Sequence, residues 1–295
     1  MRVTRLVSVS AAAAQAGRPE APPLVTAVIE RWVADAALPE TLRVEVVAST
    51  GSTNEDLLVR ARRRRPDGPL LLAADEQTAG RGRQQRRWVA RPRTALLFSL
   101  SVPLAGLPAA LPAVTLACGV ALADYLIGRA VPVRLKWPND LLLDGRKLAG
   151  VLCELAVDAD GQATLVVGVG INGCLGDADR AAIGQPAAAL EERVPWPLLA
   201  AEREAWIAAL AGVVLLAVRR FVGEGFSPWR MRFNELLDAR GQRVDIVDDG
   251  HIVASGRVVE VDTIGRLMLA TAGGSRSINV GDVSLRAAPS DDAAD

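Results

Sequence analysis

Four arginines in seven residues, opened by two glycines at alternate positions, make up Gly80-Arg81-Gly82-Arg83-Gln84-Gln85-Arg86-Arg87-Trp88. Glycine lets the backbone approach an anion closely, and guanidinium forks bind its oxygens in pairs. The chemistry open to this stretch is anion clamping. Alone, an arginine-rich turn is more often a solvated surface or a nucleic-acid patch. What shifts the balance is its company: Ser52-Thr53-Asn54 upstream, then Lys136-Trp137-Pro138-Asn139-Asp140, Arg146-Lys147-Leu148-Ala149-Gly150 and Gly168-Val169-Gly170-Ile171-Asn172. Lys147 opens an otherwise apolar strand pattern, where a lysine has no obvious structural use, and is a better functional candidate than Lys136.

Composition narrows the choices. Lys+Arg and Asp+Glu both number 34 in 295 residues, so no global field draws in nucleic acid or an anionic membrane, and any anion site must be local. The one histidine, His251, falls in a C-terminal turn pattern, which argues against Ser-His-Asp and Cys-His mechanisms. Cys118, Cys153 and Cys174 are odd in number and lack CxxC spacing, so they read as small core residues in a reducing, cytoplasmic compartment. The N-terminal Ser/Ala stretch is barely apolar and reads as a disordered tail rather than a signal peptide. The uncharged stretch from Thr94 to Ala123 is broken by prolines and reads as strand, loop and buried helix rather than a membrane span.

These residues need elements to hold them. Pro23 to Leu38 has a helical stripe, and Leu42 to Val47 alternates like a strand. Ser52 and Glu55 have capping-box spacing at the start of a helix reaching Arg65, whose Arg60 to Arg65 run reads as its solvated end. The arginine loop lies between strand patterns at Leu70–Ala74 and Thr94–Val102. Pro112 to Ile127 reads as a core helix, Val131 to Trp137 as a strand, and Leu141–Leu143 with Lys147–Leu155 as a hairpin turned at Asp144-Gly145. Thr164 to Val169 is a further strand. It ends in Gly168-x-Gly170-x-x-Gly173, which matches a dinucleotide fingerprint with Glu191 and Glu192 where a ribose ligand is expected, but no helix opens there and the strands are joined by hairpins. Pro197 to Phe221 reads as one long helix and Ser227 to Leu237 as another. After Gly241 come short strands, Val244–Val247, Ile252–Val261, Leu267–Ala270 and Arg276–Val280, in the manner of a small β-barrel.

The motifs quoted above, in their order and approximate spacing, resemble the biotin protein ligases. The resemblance covers roughly residues 42 to 286 and implies an ATP-dependent enzyme that activates biotin as biotinyl-5'-AMP and transfers it to a lysine of a biotin carboxyl carrier protein domain. It implies an α+β fold, with helices on a mixed, mostly antiparallel sheet as in class II synthetases, followed by an SH3-like C-terminal barrel. The expected division is a tail at 1–22, a catalytic domain at 23–238, the small domain at 239–287 and a tail at 288–295. Only one helix fits upstream of the catalytic strands, so the winged DNA-binding domain of some bacterial members is not expected, nor are nucleic-acid or membrane partners; the oligomeric expectation is a monomer or weak homodimer.

Residue by residue, the resemblance implies that Ser52, Thr53 and Gln77 meet the ureido ring of biotin, with the Gly80, Arg81, Gly82 and Arg83 backbone beside it. Lys147 would lie between the biotin carboxylate and the α-phosphate, and Gly150 would allow close backbone approach. Trp88 and Asn172 would serve the nucleotide, while Asn139 and Asp140 support a Mg²⁺-phosphate side, with Asp140 the one candidate metal contact. Asn54, Lys136 and Gly170 complete the ligand-binding set. Arg81, Arg83 and Lys147 would supply positive charge to an ionised carboxylate and the phosphate it attacks, so no general base is needed in that step. Asp140 is the candidate base for the acceptor lysine. One departure from the pattern is Gln84-Gln85, where many members carry a glycine; a stiffer loop is expected. Alternatives are a lipoate ligase, which shares this architecture, and a nucleic-acid regulator using the two arginine runs.

Overall fold

A computed structural model describes residues 20–248, 251–279 and 283–287, so most of the expected N-terminal tail, the Asp249-Gly250 turn and the tail at 288–295 lie outside the described residues. In chain order the elements are α1 (Thr26–Asp35), β1 (Arg43–Thr50), α2 (Thr53–Arg63), β2 (Leu70–Gln77), β3 (Ala95–Pro103), α3 (Val114–Ile127), β4 (Val133–Lys136), β5 (Asp140–Leu143), β6 (Arg146–Val157), β7 (Ala163–Asn172), α4 (Asp177–Ile183), α5 (Trp196–Ala201), α6 (Arg203–Glu224) and α7 (Ser227–Leu236). A second group of strands follows: β8 (Arg243–Asp248), β9 (His251–Val261), β10 (Leu267–Thr271), β11 (Gly274–Ile278) and β12 (Val283–Ala287).

The first seven strands form one sheet in the order β1-β2-β3-β7-β6-β5-β4. Only β1 and β2 run parallel; the other pairs are antiparallel, as the hairpin signals require. At the β5–β6 turn, Asp144 and Gly145 both have positive φ, 49° and 72°, the two-residue turn that matches strand twist. Because strand side chains alternate, each central strand divides its residues between two faces. Leu71 and Ala73, Leu96 and Phe98, and Val167 and Val169 join the main core with α3 and α6. On the opposite face Leu70, Leu72 and Val166 pack with Leu57, Leu58 and Ala61 of α2. Ser99, Gly168, Gly170, Asn172, Gly150 and Glu154 belong by alternation to this α2 face, which therefore carries the polar groups.

Three expectations change. The stretch 197–221 is not one helix: Glu202, at φ −113° and ψ 15°, separates α5 from α6. Ser52 holds the N-cap position of α2, but its side chain makes no capping bond and Glu55 does not complete a box. The C-terminal strands form an antiparallel sheet ordered β11-β10-β9-β8-β12, and no closing pair turns it into a barrel among the described residues. Sequence patterning also passed over β12, and α4 opens at Asp177, shortly after Gly173, where no helix was expected. α6 is long and apolar enough to cross a membrane, yet 61% of its most apolar window is buried inside the protein, as befits a core helix.

Candidate functional site

A cavity of about 690 Å³ opens on the α2 face of the large sheet. Every expected site residue except Gly80 lines it. Gly80 acts on the loop: its carbonyl accepts from Trp88 N–H at 2.9 Å, and a Cβ there would press on Gln77 Nε2 and Trp88 O at 3.2 Å.

One end of the cavity is a polar floor built on the start of α2. Gln77 Oε1 accepts from Thr53 N–H (2.8 Å) and stands 3.0 Å from the Thr53 hydroxyl, which fixes the amide with its Nε2 as the remaining donor. Thr53 Oγ1 lies 2.7 Å from Ser99 Oγ, and Ser99 donates to Asn54 Oδ1 at 2.8 Å. Asn54 Nδ2 donates to Glu154 Oε2 at 2.7 Å. Asn54 thus braces the floor from beneath rather than offering its amide to a ligand. Any Cβ at Gly168 would fall 2.4 Å from Asn54 Oδ1, so this glycine makes room for the brace.

At the other end Trp88 forms a wall. Its indole packs on the backbone of β7, where a Cβ at Gly170 would meet ring atoms at 2.7 Å, and beside β6, where one at Gly150 would meet the ring at 3.4 Å. Gly168 and Gly170 are therefore mid-strand residues cleared for neighbouring side chains, and the dinucleotide reading fails on geometry. Trp88 Nε1 is buried with no partner among the described residues. Lys147 Nζ lies 5.7 Å from the Trp88 ring centroid and 2.8 Å from Asp140 Oδ1, an ion pair without well-aligned hydrogen-bond geometry. Behind it, Lys147 N–H donates to Pro186 O (3.0 Å) and its carbonyl accepts from Ala188 N–H (2.9 Å). Asn172 Nδ2 donates to Lys147 O (3.3 Å) and Ala188 O (2.9 Å), holding the 186–188 segment against β6. Asn139 is fixed to β6 by Val151 N–H donating to its carbonyl (2.9 Å) and its Nδ2 donating to Val151 O (3.2 Å).

The arginine loop closes over the cavity as a small hairpin, with Gly82 N–H donating to Arg86 O at 2.7 Å and a bridge between Arg81 and Arg87. Gln84 and Gln85 both take left-handed backbone, φ 54° and 55°. The loop adopts a conformation suited to glycine while carrying glutamines. Arg81 donates to Glu55 of α2, tying the loop to the helix that bears the polar floor.

A second ring of charge sits behind the site. Glu192 accepts from Arg146 (2.5 Å), Arg180 (3.2 Å) and Ala189 N–H (3.1 Å). Burial pushes this carboxyl up, but those donors outweigh it and hold it below its ordinary value. The other arginine run is balanced by acids, Arg60 with Glu45 (2.6 Å), Arg62 with Glu55 (3.7 Å) and Arg64 with Asp67 (3.5 Å). Sequence reading missed Ser99, Glu154 and the Ile183–Ala187 wall. Ser99 had a signal, a polar residue at the centre of an apolar strand; the wall, contributed by a loop, had none. No group of three or more His, Cys, Asp or Glu suited to a metal occurs among the described residues.

A profile of the Biotin/lipoate A/B protein ligase family matches residues 46–172, and one of the Biotin protein ligase C terminal domain matches 240–286. The bifunctional ligase/repressor BirA of Salmonella typhimurium is 34% identical over 248 residues, covering 83% of this chain and 75% of that protein. The chain belongs to the biotin protein ligase family. It is 44% identical over 135 residues to the biotin--[acetyl-CoA-carboxylase] ligase of Mycobacterium tuberculosis, a match that covers 44% of this chain and about half of that relative, 49%. The biotin protein ligase of Aquifex aeolicus, solved in complex with biotin and ATP, superposes with a TM-score of 0.67 at 25% identity over 83% of this chain and 99% of that chain.

Proposed function

We propose that this protein activates biotin with ATP to biotinyl-5'-AMP and transfers the acyl group to a lysine of a carrier domain of a biotin-dependent carboxylase. The observation that carries this reading is the placement of Lys147, paired with Asp140 and facing Trp88, in one cavity with the Thr53–Gln77–Ser99 floor. A buried floor of donors and acceptors suits a ureido ring, whose polar groups are costly to bury unpaired.

In the first half-reaction a biotin carboxylate oxygen attacks the α-phosphorus, the P–O bond to the departing pyrophosphate breaks, and no proton moves. Lys147 orients the carboxylate and stabilises charge on the α-phosphate, aided by Arg81 and Arg83 once the loop meets the ligand. For Arg81 this means exchanging Glu55 for the anion. Trp88 walls the adenylate side, and Asn172 keeps Lys147 in register rather than acting directly. A Mg²⁺ ion fits as one carried by the phosphates, with Asp140 as its single protein carboxylate; when bound it neutralises the leaving pyrophosphate. In the second half-reaction the acceptor amine attacks the acyl carbon and AMP leaves, with Asp140, in the cavity beside Lys147, as the carboxylate that takes the amine proton. The arginine loop shields the mixed anhydride from water between the steps. The setting proposed is cytoplasmic, with the protein acting as a monomer or weak homodimer.

The test is adenylate formation by the purified protein with Mg-ATP and either biotin or lipoate, followed by transfer to an apo carrier domain. Biotin-dependent adenylate and labelled carrier are expected. Lipoate as the preferred acid would move the assignment to the lipoate side of the family, and tight biotin binding without any adenylate would leave a binding protein rather than a ligase.

A further inference from the structure

The segment bearing Asn139 and Asp140 is gripped from outside the catalytic sheet. Trp137 is almost fully buried, 1% exposed, and lines the cavity. Its Nε1 donates to the carbonyl of Gly265 at 3.1 Å, a residue in the turn between β9 and β10 of the C-terminal sheet. Gly265 is buried at φ +89°, and a Cβ there would lie 2.6 Å from Ala113 Cβ and 3.0 Å from Leu116 Cδ1 at the start of α3. The turn is wedged between α3 and the indole with no space for a side chain.

That turn is itself firmly built. Asp262 accepts from Ile264 N–H (3.0 Å), Arg266 N–H (2.9 Å) and Arg266 Nε (2.6 Å) through its carboxylate, and from Gly265 N–H (3.1 Å) through its carbonyl. Asn234 of α7 grips the base of the turn from both sides, accepting from Val261 N–H (2.7 Å) and donating to Val261 O (2.9 Å). The linker preceding the sheet seals β4 as well, Asp238 N–H donating to Leu135 O at 2.9 Å and Arg134 donating to Leu237 O at 3.0 Å. On the inner side, Asn139 is hydrogen-bonded to Val151, and Asp140 is ion-paired with Lys147.

We infer that Gly265 is a positioning residue of the active site, through which the C-terminal sheet fixes Trp137 and with it the Asn139–Asp140–Lys147 geometry. The inference rests on the ligase reading. The polar floor at Ser52, Thr53 and Gln77 is built on the start of α2 and the end of β2, so a disturbance at Gly265 reaches the phosphate side and spares biotin. The experiment compares wild type, Gly265→Ala and Trp137→Phe, the latter keeping an aromatic ring and losing only the N–H donor. For both variants the expected result is a loss of about tenfold in kcat/KM for ATP in adenylate formation, the scale expected when a catalytic group is misplaced by a fraction of an ångström, with biotin Kd held within about twofold. Unchanged ATP kinetics in both variants, or biotin and ATP affinity falling together in both, would overturn it. Absence of adenylate from wild type would instead sink the ligase reading, before the variants are compared.

Discussion

Lys147 Nζ and Asp140 Oδ1 stand 2.8 Å apart across the β5–β6 hairpin, with the lysine 22% and the aspartate 17% exposed. The pair is sheltered enough for its charge to count and open enough to exchange partners when an anionic ligand arrives. In Lys147→Ala, adenylate formation is expected to fall by about 10²–10³-fold, the usual scale for losing a preorganised group at developing charge, while biotin binding persists on the Thr53–Gln77 floor. Asp140→Asn separates two roles: transfer from preformed biotinyl-AMP to the carrier is expected to slow along with adenylation. Slowing of adenylation alone would remove Asp140 as the base.

The glycines facing Trp88 predict a graded response. An alanine methyl at Gly170 would sit 2.7 Å from the indole, against backbone that cannot move out of the central sheet, whereas one at Gly150 meets the ring at 3.4 Å, close to ordinary contact. Gly170→Ala is therefore expected to raise the KM for ATP by about tenfold or more by tilting Trp88, and Gly150→Ala to change it by less. Equal effects would show that Trp88 is not packed on β7 in the working enzyme.

Much of this was legible before the structure because the site is assembled from strand ends and hairpins, which short-range patterns describe well. Asp144-Gly145 announced the β5–β6 turn, and polar residues in apolar strands marked Lys147 and, unheeded, Ser99. What could not be read was partnership across the fold. The Ser52–Glu55 spacing looked like a capping box, but Gln77 reaches Thr53 N–H from β2 and Glu55 is taken by Arg81. Asn54 and Asn172 read as ligand contacts; the structure gives their donors to Glu154 and to the Lys147 and Ala188 carbonyls. Likewise nothing local in Lys136–Asp140 foretells a bond from Trp137 to residue 265.

Gln84 and Gln85, both left-handed, put a conformational cost in the loop that shields the intermediate. A non-glycine residue in this region costs about 1–2 kcal/mol, and a β-branched one more. Gln85→Gly is expected to leave biotinyl-AMP retained on the enzyme, since the closed loop becomes easier to adopt. Gln85→Val should release it: an assay with carrier omitted, which separates enzyme-bound from free adenylate, is expected to show several-fold more escape than wild type. Identical retention in the two variants would mean that the closed loop does not need this backbone shape.

Glu192 gives a pH-dependent test of the support behind Lys147. Its carboxylate joins Arg146 of β6 to Arg180 of α4 and to the backbone at Ala189, and its folded-state pKa lies below the ordinary 4.5. A depressed carboxylate pKa means that the stabilisation is complete above the unfolded value and is lost as pH falls through the folded one. At pH 7, Glu192→Gln is expected to cost about 1–3 kcal/mol, the range for leaving partly buried charged donors without their acceptor. Denaturant titrations should show a steady gap between the two proteins from neutrality down to about 4.5 and convergence as the pH falls further, because wild type then loses what the variant already lacks. A stability gap that stays constant below about 4.5 as well would show that the ion pairs contribute nothing that titrates, and that Arg146 and Arg180 are held by packing alone.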